Sequence, residues 1–217
     1  MLVDNSREEL RQAYDSSALA RDRSDLPEWK RLECARFLAQ LQTNKLTKLL
    51  DVGAGTGRDG LYFAEAGCDV TCIDLSPAMV SLCLEKGLKA LVMDVADLSF
   101  PASAFDAIYS MNSLLHLPKS ELPIVLQELQ RVLKPGGLFY FGTYGGYDHD
   151  GIYDNDDHTP HRFFSFYEDV HLQRVVGQTF EILEFRTLEI AGNDPRIRFQ
   201  SILLQRPDIG YALHDKG

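Results

Sequence analysis

The 217-residue sequence has no apolar run long enough to cross a bilayer, which takes about 20 residues. Its first residues, MLVDNSREELRQAYDSS, are polar and acidic. They lack the basic start and apolar stretch of a secretory leader, so neither anchor nor leader is expected and a cytoplasmic location follows. Cysteine is scarce. Cys34, Cys68, Cys72 and Cys83 form no CxxC pair, so zinc and redox motifs lack their ligand spacing and these residues are expected to act as small buried hydrophobes. Positive charge is short too: 22 Lys and Arg stand against 32 Asp and Glu, a net charge of −10. Electrostatic attraction supplies most non-specific affinity for a phosphate backbone, so nucleic acid is not an expected partner. The acidic stretch from Asp148, DHDGIYDNDDHT, puts Tyr153 and Thr159 where an EF-hand needs glycine and an acid, and no metal is expected there.

What is present is a 45% hydrophobic chain, enough for one sizeable core. Residues 5–22 read as a polar helix with Leu10, Ala13, Tyr14 and Ala18 on one face, and Pro27 opens a second helix over about 27–42. From Lys48 strands and helices alternate. KLLDV is a strand, GRDGLYFAEAG a helix ending at Gly67, and DVTCID a strand. Ser76 and Pro77 then cap a helix through Lys86. KALVMD and AFDAIYS are strands, 119–133 is a helix stopped by KPGG, and GLFYFGTY is a fifth strand. Residues 144–162 have no apolar period and read as a long loop, followed by a helix at about 165–176. TFEILEFRTLEI and IRFQSILLQR, separated by AGNDPR, read as an antiparallel hairpin. The pattern predicts an α/β fold: a doubly wound, mainly parallel seven-stranded sheet with an antiparallel C-terminal hairpin and N-terminal covering helices. The expected layout is a single domain over 1–217: helical cover 1–45, cofactor-binding core 46–144, lid loop 145–163, C-terminal helix and hairpin 164–206, and an irregular tail 207–217.

Glycines 53, 55, 57 and 60 cluster directly after the first strand. Glycine weakens regular structure, so a ligand must approach the backbone here or the chain must turn sharply. Dinucleotides and S-adenosylmethionine both use such a turn. The dinucleotide pattern G-x-G-x-x-G occurs at Gly55–Gly60, one glycine later than its usual start. Counted from Gly53, the third glycine falls on Arg58. Asp74 ends the second strand and suits the vicinal ribose hydroxyls of either ligand.

The segments LLDVGAGTG, VTCIDLSPAMV, ALVMDVADLSFPASAFDAIYSMNSLLHL and LQELQRVLKPGGLFYFGTY together resemble the class I S-adenosylmethionine-dependent methyltransferases of small-molecule type, in family order and spacing over residues 48–144. The resemblance implies S-adenosylmethionine as cofactor, with S-adenosylhomocysteine as product. It implies that Gly53 and Gly55 admit the methionine part, with Asp51 ordering the turn or the cofactor amine. Asp74 would hold the ribose and Leu75 pack on the adenine, whose edge meets Asp94 and Val95. Ser110 and Met111 would line the methionine side, and Tyr14 would close over the cofactor. Arg31 and Arg58 are weaker candidates. His116 is a candidate general base, since histidine suits neutral pH. Tyr144 is a second candidate catalytic residue, at the start of a lid that also carries Tyr147, Tyr153, His149, His158 and His161. Trp29 and RFFSFYED frame either the pocket or the core.

Positioning supplies most of the acceleration in such a transfer. The expected reaction is in-line methyl transfer to a small-molecule acceptor. The rivals are an RNA or protein methyltransferase, a nicotinamide-dependent oxidoreductase using Gly55–Gly60, and a non-catalytic cofactor-binding module. No Asn-Pro-Pro-Tyr-type motif follows the fourth strand, where the chain reads Ser110-Met111-Asn112-Ser113. That removes the main signature of exocyclic base methylation.

Overall fold

The computed structural model describes residues 2–154, 156–190 and 194–208, with side chains from residue 6 onward. Two helices come first, α1 (Leu2–Arg23) and α2 (Glu28–Thr43), the latter opened by Pro27 as expected. The alternating part follows: β1 (Lys48–Val52), α3 (Arg58–Glu65), β2 (Asp69–Asp74), α4 (Pro77–Glu85), β3 (Lys89–Val92), β4 (Phe105–Met111), α5 (Leu122–Val132) and β5 (Leu133–Gly145). A short 3-10 turn, Leu114–His116, lies between β4 and α5. The seven-stranded sheet has the order β3-β2-β1-β4-β5-β9-β8, where β8 is Glu181–Glu189 and β9 is Arg198–Gln205. The first five strands are parallel, and β9 runs antiparallel to both β5 and β8. This is the expected doubly wound sheet with its C-terminal hairpin.

Strand parity sorts the core onto two faces. In β1, Leu50 and Val52 join the core under α5, with Leu126 and Leu129. Leu49 faces the other way, against Phe37 of α2 and Phe63 of α3. The expected stripe of α5 (Leu122, Val125, Leu126, Leu129 and Val132) is buried throughout, and each such side chain contributes about 1.5–3 kcal/mol. The KPGG segment is a bulge inside β5. Leu133 pairs with Phe105 and Leu138 with Ala107, so residues 134–137 loop out of register.

Two expectations need correcting. Residues 144–162 are not one continuous loop, because β6 (His149–Ile152) pairs antiparallel with β7 (Phe163–Phe166). The same strand shortens the helix expected at 165–176 to α6, Asp169–Val176. Phe164 and Phe166 have strand spacing, and both bury against Leu115 of the 3-10 turn. Their partner strand lies across a sequence gap that local periodicity does not span. Residues 191–193 of the AGNDPR separator and 209–217 of the tail lie outside the described residues.

Candidate functional site

Strand order reverses between β1 and β4, and doubly wound sheets bind ligands at the carboxyl ends of strands at this point. The glycine turn lies there. A cleft is lined by Arg7 and Leu10 of α1, Gly53, Asp74, Leu75, Asp94, Val95, Ser113 and His116, among others. It runs into a second chamber that adds Tyr14, Arg21, Gly55, Met111 and Asn112. A third chamber beside the turn adds Lys30, Arg58 and Asp59.

The glycines do separate jobs. Gly53 has φ +66°, and a Cβ there would fall 1.9 Å from the Ser113 Oγ. Gly55 has φ +55° and open space where its Cβ would be. The Gly55 N–H donates to Asp74 Oδ2 at 2.8 Å, and the Ser76 N–H donates to Oδ1 at 2.9 Å. Gly57 caps α3 in the left-handed conformation, and Gly60 lets that helix approach the Cys72 Sγ. Of the three glycines in the Gly55–Gly60 match, only Gly55 lines these chambers.

Most of the expected site residues come together. Tyr14, Gly53, Gly55, Asp74, Leu75, Asp94, Val95, Met111 and His116 all line the first two chambers. Asp51, Ser110 and Tyr144 line none of the three. Asp51 shares the strand face of Leu49 and is buried under α3, near Gly60 and Cys72. Burial, and then the neighbouring Asp59 charge, pushes its carboxyl well up. Ser110 is fully buried, with its hydroxyl unpartnered. Tyr144 packs between Trp29 and Phe199, at ring distances of 6.4 and 6.0 Å, and burial raises its phenol.

Residues that sequence reasoning missed sit on α1. Arg7, Leu10 and Arg21 recur at helical spacing with the expected Tyr14, and all four reach the cleft. Arg7 bonds Asp94 Oδ2 and Glu121 Oε2, each at 2.7 Å, so the carboxylate expected to meet an adenine edge already carries a cation. Asp15 accepts from the Ser76 hydroxyl at 2.5 Å and from the Ala78 N–H at 3.2 Å, a carboxylate at the N-terminus of α4. Asp22 pairs with Lys86 at 2.8 Å. The signal was the face already marked by Leu10 and Tyr14, extended one turn back to Arg7 and two turns on to Arg21.

His116 is committed on both ring nitrogens. Nδ1 lies 2.8 Å from the Phe163 carbonyl oxygen and Nε2 lies 2.7 Å from the Tyr14 hydroxyl. A carbonyl only accepts, so Nδ1 carries the proton and Tyr14 donates to Nε2. Arg162 donates to the Tyr14 oxygen at 2.9 Å and is itself forked onto the buried Asp156. Burial, and then the Arg162 charge, lowers the His116 imidazole to about 3. The ring is therefore neutral at physiological pH, with its lone pair taken. Long-range ¹H–¹⁵N NMR is expected to show a neutral Nδ1–H tautomer unchanged from pH 8 to 5. An imidazolium forming between pH 6 and 7 would restore His116 as a free base.

Residues 49–137 match the family described as a methyltransferase domain. Among curated proteins, the chain is 32% identical over 146 residues to a malonyl-[acyl-carrier protein] O-methyltransferase of Pectobacterium atrosepticum, covering 66% of this chain and 56% of that protein. It is 32% identical over 184 residues to phosphoethanolamine N-methyltransferase 3 of Arabidopsis thaliana, covering 79% and 35%. The chain thus spans about half or less of the length of these relatives. Among solved structures, it is similar in fold to the 1,6-didemethyltoxoflavin-N1-methyltransferase of Burkholderia thailandensis (TM-score 0.70, 20% identity, 93% of this chain and 88% of that one), a structure holding 1,6-didemethyltoxoflavin and S-adenosylhomocysteine. The [4+2]-cyclase SpnF shares the fold at TM-score 0.69 and 21% identity, covering 93% and 96%.

Proposed function

Because the chain belongs to the class I S-adenosylmethionine-dependent methyltransferases, we propose that it transfers the methyl group of that cofactor to a small-molecule acceptor by in-line displacement. One observation carries the reading: the open cradle at Gly55 and the Asp74 carboxylate face the same cleft at the sheet's switch point. That donor set fits an adenosyl cofactor, with backbone for the amino-acid end and a carboxylate for the ribose.

The roles follow from placement. Gly53 and Gly55 allow the backbone approach. Asp74, anchored by two amides, keeps lone pairs for ribose hydroxyls. Leu75 and Val95 supply apolar contact for the adenine, beside the Asp94–Arg7 pair. Lys30 and Arg58 border the turn, where the amino-acid carboxylate belongs. When bound, the cofactor supplies a methyl group already activated on a sulfonium. The chain's own residues then need only place the acceptor and exclude water. Arg162 and His116 hold the Tyr14 hydroxyl from two sides. In this reading His116 is a positioning residue, and Tyr14 is the group presented to the cleft.

The relatives' names span a malonyl group on a carrier protein, phosphoethanolamine and a sterol, so family membership leaves the acceptor class open. The test is calorimetric titration with S-adenosylmethionine, S-adenosylhomocysteine and NADH in parallel. The two adenosyl ligands are expected to bind and NADH not to. Binding of NADH alone would overturn the reading in favour of an oxidoreductase.

A further inference from the structure

We propose that the acceptor carries an oxyanion group, a carboxylate or a phosphate, and that Arg21 and the Asn112 amide receive it. The proposal rests on the methyltransferase reading and names the substrate class of that same site.

Arg21 lines both the chamber of Tyr14 and Asn112 and the chamber beside the glycine turn. Arg7, Arg11, Arg162, Arg186 and Arg198 are each held by a carboxylate. Among the described residues no hydrogen-bond acceptor is bonded to the Arg21 guanidinium, which lies 5.6 Å from the centre of the Tyr14 ring. Asp74 borders the same chamber and feels the Arg21 charge, but no hydrogen bond or ion-pair contact joins the two, and its oxygens are held by the Gly55 and Ser76 amides. In a chain of net charge −10, an unpaired guanidinium facing a cleft calls for an anion from outside.

The cofactor brings one carboxylate, and two other cations border the turn where it would lie. Arg58 is fixed by the Ser24 carbonyl at 2.7 Å. Lys30 has no bonded acceptor among the described residues; burial, and then the Arg21 charge, lowers its ammonium to about 8. These two suffice for the amino-acid end of the cofactor, which leaves Arg21 for the other ligand.

Asn112 is the independent observation. It directly follows β4 in the left-handed region, φ +55°, a conformation that asparagine tolerates better than most residues and that fixes its side chain at the end of the strand. It borders the Arg21 chamber, and its amide nitrogen and oxygen are buried without a well-formed hydrogen bond, the Tyr144 phenol being the polar group beside them. Buried amides are rarely left unpaired. A guanidinium fork beside an amide donor is the complement of an oxyanion.

The experiment uses the full chain saturated with S-adenosylhomocysteine and titrated with two matched pairs, benzoate against benzamide and phenyl phosphate against phenol. At least one anion is expected to bind tenfold or more tighter than its neutral partner, and which one separates carboxylate from phosphate. Arg21→Gln should reduce that ratio to within about threefold, Arg21→Lys should restore part of it, and S-adenosylhomocysteine affinity should stay within threefold in both. No charge preference in the wild type, including no binding of any probe, would overturn the proposal. So would a preference that survives Arg21→Gln, or a tenfold loss of S-adenosylhomocysteine affinity in that variant, which would give Arg21 to the cofactor. Failure of the wild type to bind S-adenosylhomocysteine at all would instead sink the methyltransferase reading beneath it.

Discussion

Gly53→Ala is expected to lower folding stability by about 2–5 kcal/mol and to weaken S-adenosylhomocysteine binding more than thirtyfold. Two costs add. The residue sits at φ +66°, where an L side chain costs about 1–2 kcal/mol. Its new methyl would also fall 1.9 Å from the Ser113 Oγ and 2.3 Å from the Ser113 Cβ. A serine side chain is too short to swing clear, so the backbone after β4 must shift, at roughly 1–3 kcal/mol for overpacking. That backbone carries Asn112, Ser113 and His116, all of which line the cleft, so the binding loss follows from the same displacement. Gly55→Ala is the control. It has a similar positive φ, but nothing within 4 Å of its Cβ, so it pays only the conformational cost while its methyl enters the cleft. Chemical denaturation and calorimetry of both variants check this. If Gly53→Ala melts and binds like the wild type, the turn is not a close-approach site.

How much of this was legible beforehand depends on the range over which each feature is encoded. The central alternation was readable because each strand and helix carries its own periodicity, as with the five buried residues of α5, and because Ser76 and Pro77 mark a boundary chemically. Ser76 indeed accepts from the Met79 N–H. The β6–β7 hairpin was not readable. Its two strands are short and separated in sequence, and the aromatic run FFSF carries no sign of its partner. Asp51 was readable in principle. Leu50 and Val52 share one strand face, so the acid between them must point the other way, away from the α5 side and beneath α3. The family pattern drew attention to the turn instead. The hidden part of the site comes from α1. Its docking depends on Asp15 reaching Ser76 and on Arg7 reaching Asp94, pairings 61 and 87 residues apart. Nothing in a local window shows that a polar helix face is turned inward. The His116 network has the same origin, since it joins α1, the 3-10 turn and the start of β7 through Tyr14, Phe163 and Arg162. A histidine after the fourth strand looks like a base until the groups on its two nitrogens are known.

Asp74→Ala is expected to weaken S-adenosylhomocysteine binding by about 1–3 kcal/mol, a factor of ten to a hundred, the usual cost of losing hydrogen bonds to a charged group. Asp74 stands at the end of β2, and its two oxygens accept from Gly55 and Ser76. Those amides could mean that the acid serves only to close the turn. They do not exhaust it, because a carboxylate has about four lone-pair positions and this one still borders two chambers. The two roles predict different ligand dependence. A residue that merely orders the turn would change the affinity of every ligand in the cleft alike. A residue that binds ribose hydroxyls would change only ligands that carry them. Calorimetry with S-adenosylhomocysteine, adenosine and free adenine separates these cases. The expected result is a similar loss for the first two and no loss for adenine. Equal losses for all three would reduce Asp74 to a structural acid, and unchanged affinity for S-adenosylhomocysteine would remove it from the site. Asp74→Asn should fall between, because its amide keeps one acceptor oxygen for the Gly55 N–H or for the ligand but not for both at full charge.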